Sequence, residues 1–306
     1  MGKLKTKHLL SISDFTPDEV ESLLDDAARL KGCWLTTLKN KTLAILFEKP
    51  SLRTRVSFEM AMRQLGGQTI YLSPAEVGLG QRESVADVAR VLGRMVDAIA
   101  CRTFAQKNLE ELAEYSGIPV INALSDYEHP CQALGDLLTI REKKGKLKGL
   151  TLAFIGDGNN VAHSLMLACA MTGINFRIAS PKGYMVQKDV LLKARRYAKT
   201  TGAELVCNTG PVEAVQDADI VYTDTWTSMG QEAQAEVRRR VFAGYQVNNE
   251  LLKKAKRDVI VMHPLPAHHG EEVAEGLLDG PRSVVFDQAE NRLHAQKALL
   301  ARLLGE

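Results

Sequence analysis

The chain has 306 residues, and at roughly 150 residues per domain this length predicts two domains. Hydrophobic residues make up 45% and charged residues 25% of the chain, which is the ordinary balance of a folded globular protein and excludes the low-complexity and disordered classes. Lys and Arg number 39 against 37 Asp and Glu, a net charge of +2. So small a charge predicts neither a nucleic-acid nor a membrane partner, and any anion site must be local.

The cysteines favour a reduced, cytoplasmic protein. They are odd in number and lack CxxC spacing: Cys33, Cys101, Cys131, Cys169 and Cys207. The opening segment MGKLKTKHLLSISDF has no long apolar stretch and no cleavage site of the kind found in signal peptides. Because no run approaches the roughly 20 apolar residues that span a bilayer, we expect a cytoplasmic location.

Strands and helices alternate through the first half of the chain. Thr16, Pro17 and Glu19 predict a helix start, since they supply a capping hydroxyl, a proline at the first helical position and the acid of a capping box. The apolar residues at helical spacing after it predict its buried face: Val20, Leu23, Leu24, Ala27 and Leu30. The following pattern predicts strands at 42–47, 68–72, 98–101 and 119–122, and helices at 51–65, 84–95, 108–115 and 130–141.

The charged stretch 141–146 is typical of a solvated connector, and it places the domain boundary between residues 142 and 143. Beyond it the alternation restarts, with strands predicted at 151–155, 175–179, 204–207, 219–222 and 259–262, and helices at 162–171, 186–199, 212–216, 249–256 and 289–304. The last helix has no following strand, so we expect it to pack on the first domain. The pattern predicts an α/β protein of two domains, each a parallel sheet flanked by helices.

Ligands of open parallel sheets bind beyond the carboxyl ends of the strands, so polar residues that follow strands are the candidates for a site. Ser51 follows the strand 42–47 and stands where a helix N-cap belongs, which would aim free amides and the positive end of the helix dipole at an anion. Thr54 adds a hydroxyl, and Arg53 or Arg55 adds a planar cation for phosphate. The alternative is a capped surface helix with solvated arginines, and we expect only one arginine to contact a ligand.

Two further motifs follow strands of the first half. Arg102 ends a strand and is either a ligand contact or a surface ion-pair residue. His129 and Gln132 stand at the start of a helix, where an imidazole can donate to a carbonyl oxygen and an amide can bind an amide; the alternative for His129 is a capping role.

The second half carries three such motifs. The segment GDGNNV imitates the dinucleotide fingerprint, but Val161 replaces its third glycine and Ser180 stands after the next strand instead of an acid, so NAD binding is disfavoured. Asn160 either binds an amino acid or caps a helix. Asp224 either pairs with a substrate ammonium or caps a turn, and the loop ending at Gly230 could close over a ligand.

The sixth motif is HPLP at 263–266, in which two prolines stiffen a loop after a strand. His263, His268 and His269 could suggest a metal, but we expect none because the sequence shows no matching acid or cysteine cluster with them.

Taken together, these motifs resemble the aspartate and ornithine carbamoyltransferases over essentially the whole chain. The segments FEKPSLRTRVSFE, HPCQALGDLLTI, GDGNNVAHS, TDTWTSMGQE and AENR are similar to the ornithine carbamoyltransferases in particular. The resemblance implies carbamoyl transfer from carbamoyl phosphate to L-ornithine without a cofactor, by an assembly of three subunits or a multiple of three.

The resemblance also implies roles for individual residues. Phosphate would be bound by Ser51, Leu52 through its backbone, Arg53 and Thr54. The rest of carbamoyl phosphate would lie near Arg102, His129, Pro130, Cys131, Gln132, Pro264, Leu265 and Arg292, with Arg102 and His129 on the carbonyl and Gln132 on the amide. Ornithine would contact Asn160, Asp224, Ser228 and Met229, with Asp224 on its α-ammonium. Arg102, His129 and Asp224 would be the catalytic residues.

Two positions depart from the family pattern. Pro264 stands where ornithine enzymes commonly have cysteine, so the backbone carbonyl of Leu265 would contact the δ-amine instead. Gly78 stands where glutamine often reaches a neighbouring subunit's site, and Gln81 or Arg82 could compensate. Three alternatives follow: a carbamoyltransferase for aspartate, putrescine or an acylated ornithine, a dinucleotide-dependent oxidoreductase, and a scaffold protein without catalysis.

Overall fold

The computed structural model describes residues 2, 4–207, 210–228 and 230–305. It divides into two compact units, Met1–Leu138 with Glu290–Glu306, and Thr139–Ala289. The expectation that the C-terminal helix packs on the first domain is confirmed, because the last fifteen residues of this helix, 290–304, belong to the first unit.

The first unit is built on a parallel sheet whose strands lie in the order β2-β1-β3-β4. The strands are β1 (Thr42–Phe47), β2 (Gln68–Leu72), β3 (Ala98–Arg102) and β4 (Val120–Leu124). Its helices are α1 (Pro17–Leu30), α2 (Leu52–Gln64), α3 (Pro74–Val77), α4 (Val85–Leu92) and α5 (Gln106–Ser116). Phe47 pairs with Arg102, so the carboxyl ends of β1 and β3 lie side by side at one sheet edge.

The second unit has a parallel sheet in the order β7-β6-β5-β8-β9. The strands are β5 (Thr151–Ile155), β6 (Asn175–Ala179), β7 (Leu205–Cys207), β8 (Ile220–Thr223) and β9 (Ile260–Met262). The α-helices here are α7 (Asn160–Thr172), α8 (Lys188–Thr201), α9 (Pro211–Val215), α10 (Ala235–Phe242) and α11 (Asn249–Leu252). The sequence order reverses beside β5, which pairs Ile155 with Thr223 of β8, and this is the position where open sheets bind ligands.

Two long helices, α6 (Pro130–Lys144) and α12 (Val285–Leu304), begin in one unit and end in the other. Short 3-10 turns occupy Ile12–Asp14, Glu232–Gln234, Ala243–Tyr245 and Leu277–Asp279.

Burial explains why both sheets are parallel and covered. All five residues of β5 are buried, and α7 is buried on every side from Val161 to Thr172. A strand buried on both faces needs a continuous apolar run such as TLAFI, which is the pattern of a sheet with helices on both sides. The predicted α/β class is therefore confirmed.

The first helix follows its sequence signals closely. The Thr16 hydroxyl accepts the Glu19 amide at 3.2 Å, and the Glu19 carboxylate accepts the Thr16 amide at 2.8 Å. This reciprocal pair satisfies two amides that the first turn leaves free. All five apolar residues predicted for the buried face of α1 are buried.

Several element boundaries differ from the predicted ones. The stretch taken as a solvated connector continues α6 through Lys144, because its Arg, Glu and Lys residues are good helix formers and its basic groups favour a helix C-terminus. The predicted helix at 249–256 ends at Leu252. Helices α3 and α10 were not predicted, since four-residue and charge-rich segments carry little apolar periodicity.

Helix α12 buries polar groups as well as leucines. Lys297 is fully buried, and its ammonium donates to the Leu30 carbonyl at 2.9 Å, to the Gln64 side chain at 3.0 Å and to the Cys33 carbonyl. Its pKa is lowered by burial. The helix therefore lies against the first unit through directed bonds as well as through its buried Leu299 and Leu300.

Further along the same helix, Arg302 bonds the Asp26 carboxylate at 2.6 Å, and both side chains are buried.

Among the described residues no helix is long and apolar enough to span a lipid bilayer.

We expect Asp26→Ala to lower the free energy of unfolding by about 3–5 kcal/mol, because Arg302 would keep a buried charge without its carboxylate. Asp25→Ala is the matched control, since the neighbouring acid is exposed on the same helix and should change stability by less than about 0.5 kcal/mol. Urea unfolding of both variants measures the difference. Equal effects would show that the buried pair does not stabilise the docking of α12.

Candidate active site

The turn from β1 to α2 forms the first part of the site. Ser51 is the N-cap of α2 and its hydroxyl lies 3.0 Å from the Thr54 hydroxyl. The predicted capping role of Ser51 is confirmed. The next residue, Leu52, has an exposed side chain and begins the helix, so its contribution at this turn is a backbone amide. The free amides of this first turn and the helix dipole favour a bound anion.

The two arginines of this motif behave differently. Arg53 is half-buried, and burial lowers its pKa. Arg55 is exposed, pairs with Glu59 at 2.8 Å and lies over the Tyr71 ring at 4.0 Å. The structure therefore leaves Arg53 as the candidate contact for an anion and Arg55 as a surface ion-pair residue.

Glu48 holds this turn against the end of β3, and the sequence analysis missed it. Its carboxylate accepts from the Thr103 hydroxyl and from the Phe104 amide at 2.9 Å, while its own amide donates to the Arg102 carbonyl at 2.8 Å. The turn that carries Ser51 is thereby tied to the strand end that carries Arg102.

Positive charges converge on a buried histidine. His129 and Arg102 are both more than nine-tenths buried. Burial, followed by the charges of Arg292, Arg102 and Arg53, lowers the pKa of His129 well below its usual value. The imidazole is therefore neutral and can donate a hydrogen bond through one nitrogen.

The same cluster lowers the pKa of Arg102 to about 10, through burial first and then through Arg292 and Arg53. Arg292 also donates to the Thr54 hydroxyl at 2.7 Å, across 238 residues of sequence. The close approach of α12 depends on Gly135 of α6, because a Cβ there would lie 3.1–3.3 Å from Arg292 atoms. Guanidinium groups held near one another repel, and an anion bound among them would relieve that repulsion.

The start of α6 places the remaining residues predicted for this cluster. Pro130 begins the helix, and Cys131 is buried with its thiol donating to the Asn122 carbonyl at 3.4 Å. Burial raises the pKa of that thiol to about 12, so Cys131 is a packing residue and not a nucleophile. Gln132 is buried one turn from His129 on the same helix face.

In the second unit, the ends of β5 and β8 bring Asp224 and Asn159 together. Asn159 caps α7, accepting the amides of Val161 and Ala162 at 3.0 and 3.1 Å, and its amide nitrogen donates to Asp224 at 2.8 Å. The capping role that the sequence analysis offered for Asn160 therefore belongs to Asn159. Asn160 is the first helical residue, and its side-chain oxygen accepts the Val161 amide at 3.0 Å.

Asp224 is almost fully buried, and burial raises its pKa although His263 and the bond from Asn159 oppose that shift. Its other oxygen accepts the Thr225 amide at 2.8 Å, which is the turn-capping contact considered from the sequence. A buried carboxylate of this kind is stabilised by a cation, and an ammonium group would supply one.

The loop after Asp224 is held by Arg238, which the sequence analysis also missed. Its guanidinium donates at 2.7 Å to both the Asp157 carboxylate and the Trp226 carbonyl, and it lies over the Tyr184 ring at 4.8 Å. Ser228 is half-buried in this loop. The expectation for Met229 lies outside the described residues.

The HPLP loop is ordered around a buried pair. His263 accepts the Leu265 amide at its Nδ1 atom at 2.9 Å, so its Nε2 atom carries the proton and donates to Glu272 at 3.2 Å. Leu265 has φ of 56°, a backbone conformation that a leucine seldom adopts and that is concentrated at functional sites. Pro264 between them is buried.

The expectation that no acid cluster accompanies the histidines is wrong for His268. His268, Glu271 and Glu272 do form a cluster whose ligand atoms lie within 4.8 Å of one another. Their bonds are made within the protein: His268 contacts the Thr225 hydroxyl at 2.9 Å, Glu271 pairs with Arg239 at 2.8 Å and Glu272 accepts the His268 amide at 2.6 Å.

The glycine loop after β5 is packed against its own chain. A Cβ on Gly158 would lie 2.2 Å from the Val186 nitrogen, and the Gly158 amide donates to the Tyr184 carbonyl at 2.8 Å. In dinucleotide sites the corresponding glycine allows a pyrophosphate to approach. Here the glycine is required by a neighbouring segment of backbone, which supports the expectation against NAD.

The local backbone conformation explains why a glycine stands at position 78. It ends α3 with φ of 55° and ψ of 49°, and a Cβ there would lie 3.0 Å from the Cβ of Arg82. A glutamine would be strained at this position. The Arg82 guanidinium donates to the Glu76 carbonyl at 3.2 Å, within the same loop.

Comparison with known families agrees with the geometry. Residues 7–142 match the family model described as aspartate/ornithine carbamoyltransferase, carbamoyl-P binding domain, and residues 148–303 match the Asp/Orn binding domain of the same family. The chain belongs to the aspartate/ornithine carbamoyltransferase family.

Relatives within this family match along their full length. An ornithine carbamoyltransferase of Anoxybacillus flavithermus is 55% identical over 307 aligned positions, covering 99% of this chain and 98% of the relative. The solved ornithine carbamoyltransferase of Pyrococcus furiosus is 50% identical with a TM-score of 0.95, covering 98% of each chain. The solved enzyme of Gloeobacter violaceus is 50% identical with a TM-score of 0.90, covering 98% of this chain and 99% of that one.

We expect Arg53→Ala to weaken the binding of inorganic phosphate about 10-fold or more, because a charged hydrogen bond from a half-buried guanidinium is lost. Arg55→Ala is the control two residues away, and it should bind phosphate within about twofold of the wild-type protein, since its exposed ion pair is worth little. Titration calorimetry measures both affinities. An unchanged affinity in Arg53→Ala would remove Arg53 from the anion site.

Proposed function

We propose that this member of the family transfers the carbamoyl group of carbamoyl phosphate to the δ-amine of L-ornithine, giving L-citrulline and phosphate. Two observations, each made within one unit, carry the proposal: an arginine cluster surrounds neutral His129 in the first unit, and the Asp224 carboxylate is buried in the second unit. The first suits a phosphorylated acyl group, and the second suits the ammonium of an amino acid.

Carbamoyl phosphate is assigned to the first unit. Its phosphate would accept from the Ser51 and Thr54 hydroxyls, the first amides of α2 and the guanidinium of Arg53. Arg292, already bonded to Thr54, would reach the same ligand. The division of labour between residues 1–142 for carbamoyl phosphate and 143–306 for ornithine belongs to this proposal.

The chemical step is a displacement at the acyl carbon. The lone pair of the neutral δ-amine forms the C–N bond, a tetrahedral oxyanion results, and the C–O bond to phosphate breaks as that oxygen takes the electron pair. The amine proton leaves to the departing phosphate or to water. Arg102, His129 and Thr54 would donate to the oxyanion, and one such donor is typically worth about 3 kcal/mol of barrier.

Ornithine is assigned to the second unit. Asp224 would pair with the α-ammonium, oriented by Asn159 through the bond at 2.8 Å. Asn160, Ser228 and Met229 are proposed to complete the contacts to the amino acid. Leu265 would offer its backbone carbonyl to the δ-amine, since Pro264 has no thiol for that purpose.

One second candidate deserves a direct comparison, because Pro264 gives the loop the HPLP form typical of the aspartate enzymes. Carbamoyl transfer to aspartate, putrescine or an acylated ornithine is the resulting alternative. Asp224 favours ornithine over aspartate, since a buried carboxylate repels a dicarboxylate. It also favours ornithine over an acylated ornithine, whose α-nitrogen carries no charge to pair with the carboxylate.

The biological setting is proposed with the activity. An enzyme that makes citrulline serves arginine biosynthesis, and we propose a cytoplasmic location. The family resemblance supports a homotrimer or a multiple of trimers.

Citrulline and phosphate should form in equal amounts from carbamoyl phosphate and ornithine, at a kcat/KM at least about 100-fold higher than with aspartate or N-acetylornithine, because the buried carboxylate of Asp224 pairs with a free ammonium. Putrescine completes the panel of amines, and a lower kcat/KM than with ornithine is expected for it. Colorimetric assays of phosphate and of the carbamoylated product measure both. A higher kcat/KM for another amine of this panel would refute ornithine as the substrate.

The pH dependence follows from two groups. Activity should rise toward alkaline pH as ornithine loses the δ-amine proton, whose pKa is about 10. It should then fall above about pH 10, since the lowered pKa of Arg102 means that free enzyme loses this charge there. Initial rates of kcat/KM against pH test this. A flat profile from pH about 7 to 9 with chemistry limiting would contradict the neutral-amine step.

A further inference from the structure

The side-chain nitrogen of Gln132 in α6 makes a hydrogen bond, whereas its side-chain oxygen has none among the described residues. Its Nε2 atom donates to the Asp136 Oδ1 atom at 2.8 Å, one turn along the same helix. Its Oε1 atom is buried and has no hydrogen-bond partner among the described residues. Both side chains are more than nine-tenths buried. A buried acceptor without a donor is costly, so this oxygen indicates that a donor arrives with a ligand.

The carboxylate at 136 decides which end of the amide is left over. The Gln132 nitrogen donates to the Asp136 Oδ1 atom, so the nitrogen is the end of the amide that faces this carboxyl group. Because the two ends of an amide point in different directions, the oxygen is then turned away from Asp136. His129 lies one turn before Gln132 on the same helix face, among the arginines that surround it.

We propose that Asp136 is a positioning residue that selects the carbamoyl group, by fixing the Gln132 amide with its oxygen toward the NH2 group of the ligand. The inference rests on the proposed function for the identity of that ligand. It adds the reason why this site would take a carbamoyl group and reject an acetyl group of the same size, which offers a methyl where the carbamoyl offers N–H donors.

The neighbouring Gly135 keeps this arrangement rigid. It allows Arg292 of α12 to lie against α6 next to Asp136, and a Cβ at this position would meet the Arg292 backbone nitrogen at 3.2 Å. Helix α6 is therefore closely packed on α12 at Gly135, one residue before Asp136.

The experiment compares two stable ligands that differ only in the group read by Gln132. Phosphonoacetamide carries the NH2 group and phosphonoacetone carries a methyl in its place. Titration calorimetry gives the ratio of their affinities for the wild-type protein, in which we expect the amide to bind about 10-fold or more tightly.

Asp136→Leu should lower this ratio about 10-fold through weaker binding of phosphonoacetamide, while phosphonoacetone binds within about twofold of wild type. Asp136→Asn retains an acceptor oxygen and should keep more of the selectivity than Asp136→Leu. Glu142→Leu removes an exposed acid from the same helix and is the matched control, with the wild-type ratio expected. Should Asp136→Leu not fold, Asp136→Ala makes the same comparison.

A double-mutant cycle tests whether Asp136 acts through Gln132. Gln132→Met should lose the selectivity by itself, and adding Asp136→Leu to it should lower the ratio no further. Additive losses, a wild-type ratio in folded Asp136→Leu, or equal losses in Asp136→Asn and Asp136→Leu would overturn the proposal.

The outcome is separable from that of the proposed function. Selective binding of phosphonoacetamide by a protein that fails to carbamoylate ornithine would refute the activity and leave the role of Asp136 standing. Carbamoyl transfer by a wild-type protein that does not distinguish the two ligands would refute the role of Asp136 alone.

Discussion

The mutual repulsion of the guanidinium groups around His129, two of them buried and one half-buried, is the constraint on which the rest of the first unit depends. Burial, and after it the charges of Arg292, Arg102 and Arg53, lowers the pKa of that histidine, and burial followed by Arg292 and Arg53 lowers the pKa of Arg102. A fold can hold such a cluster only if other interactions offset the repulsion between its charges. A dianionic ligand binds more strongly to cations that the fold already holds in place, because they need not be brought together on binding. The electrostatics therefore explain both the anion preference and the need for a rigid frame.

That frame is made largely of buried polar contacts. Helix α12 carries Arg292 into the cluster and is itself anchored by Lys297 on three oxygen acceptors and by Arg302 on Asp26. Glu48 ties the anion-binding turn to the end of β3. In the second unit Asn159 and Arg238 do the same for Asp224 and the loop that follows it. Directional bonds of this kind specify one geometry, which hydrophobic contacts alone do less well.

The sequence predicted the elements and the strand-end motifs well, because these depend on local signals. The capping box at Thr16 and Glu19, the N-cap at Ser51 and the apolar run of β5 are all as expected. Predictions failed where an interaction partner lies far along the chain. The sequence analysis gave Lys297 of α12 no role, whereas this fully buried lysine is stabilised by carbonyls more than 260 residues away. Asn159 and Asn160 are adjacent, and it is Asn159, the N-cap with extended backbone, that bonds Asp224.

By itself, the sequence determined that strands and helices alternate, that polar motifs follow the strands and that the segments resemble one family, since all of these are properties of residues close together in the chain. Only the tertiary structure decided that Arg53 and not Arg55 joins the cluster, that Arg292 bonds Thr54 and that the Gln132 oxygen is left without a donor. These outcomes depend on burial and on the orientation of side chains brought together by folding, and neither quantity is encoded by spacing along the chain.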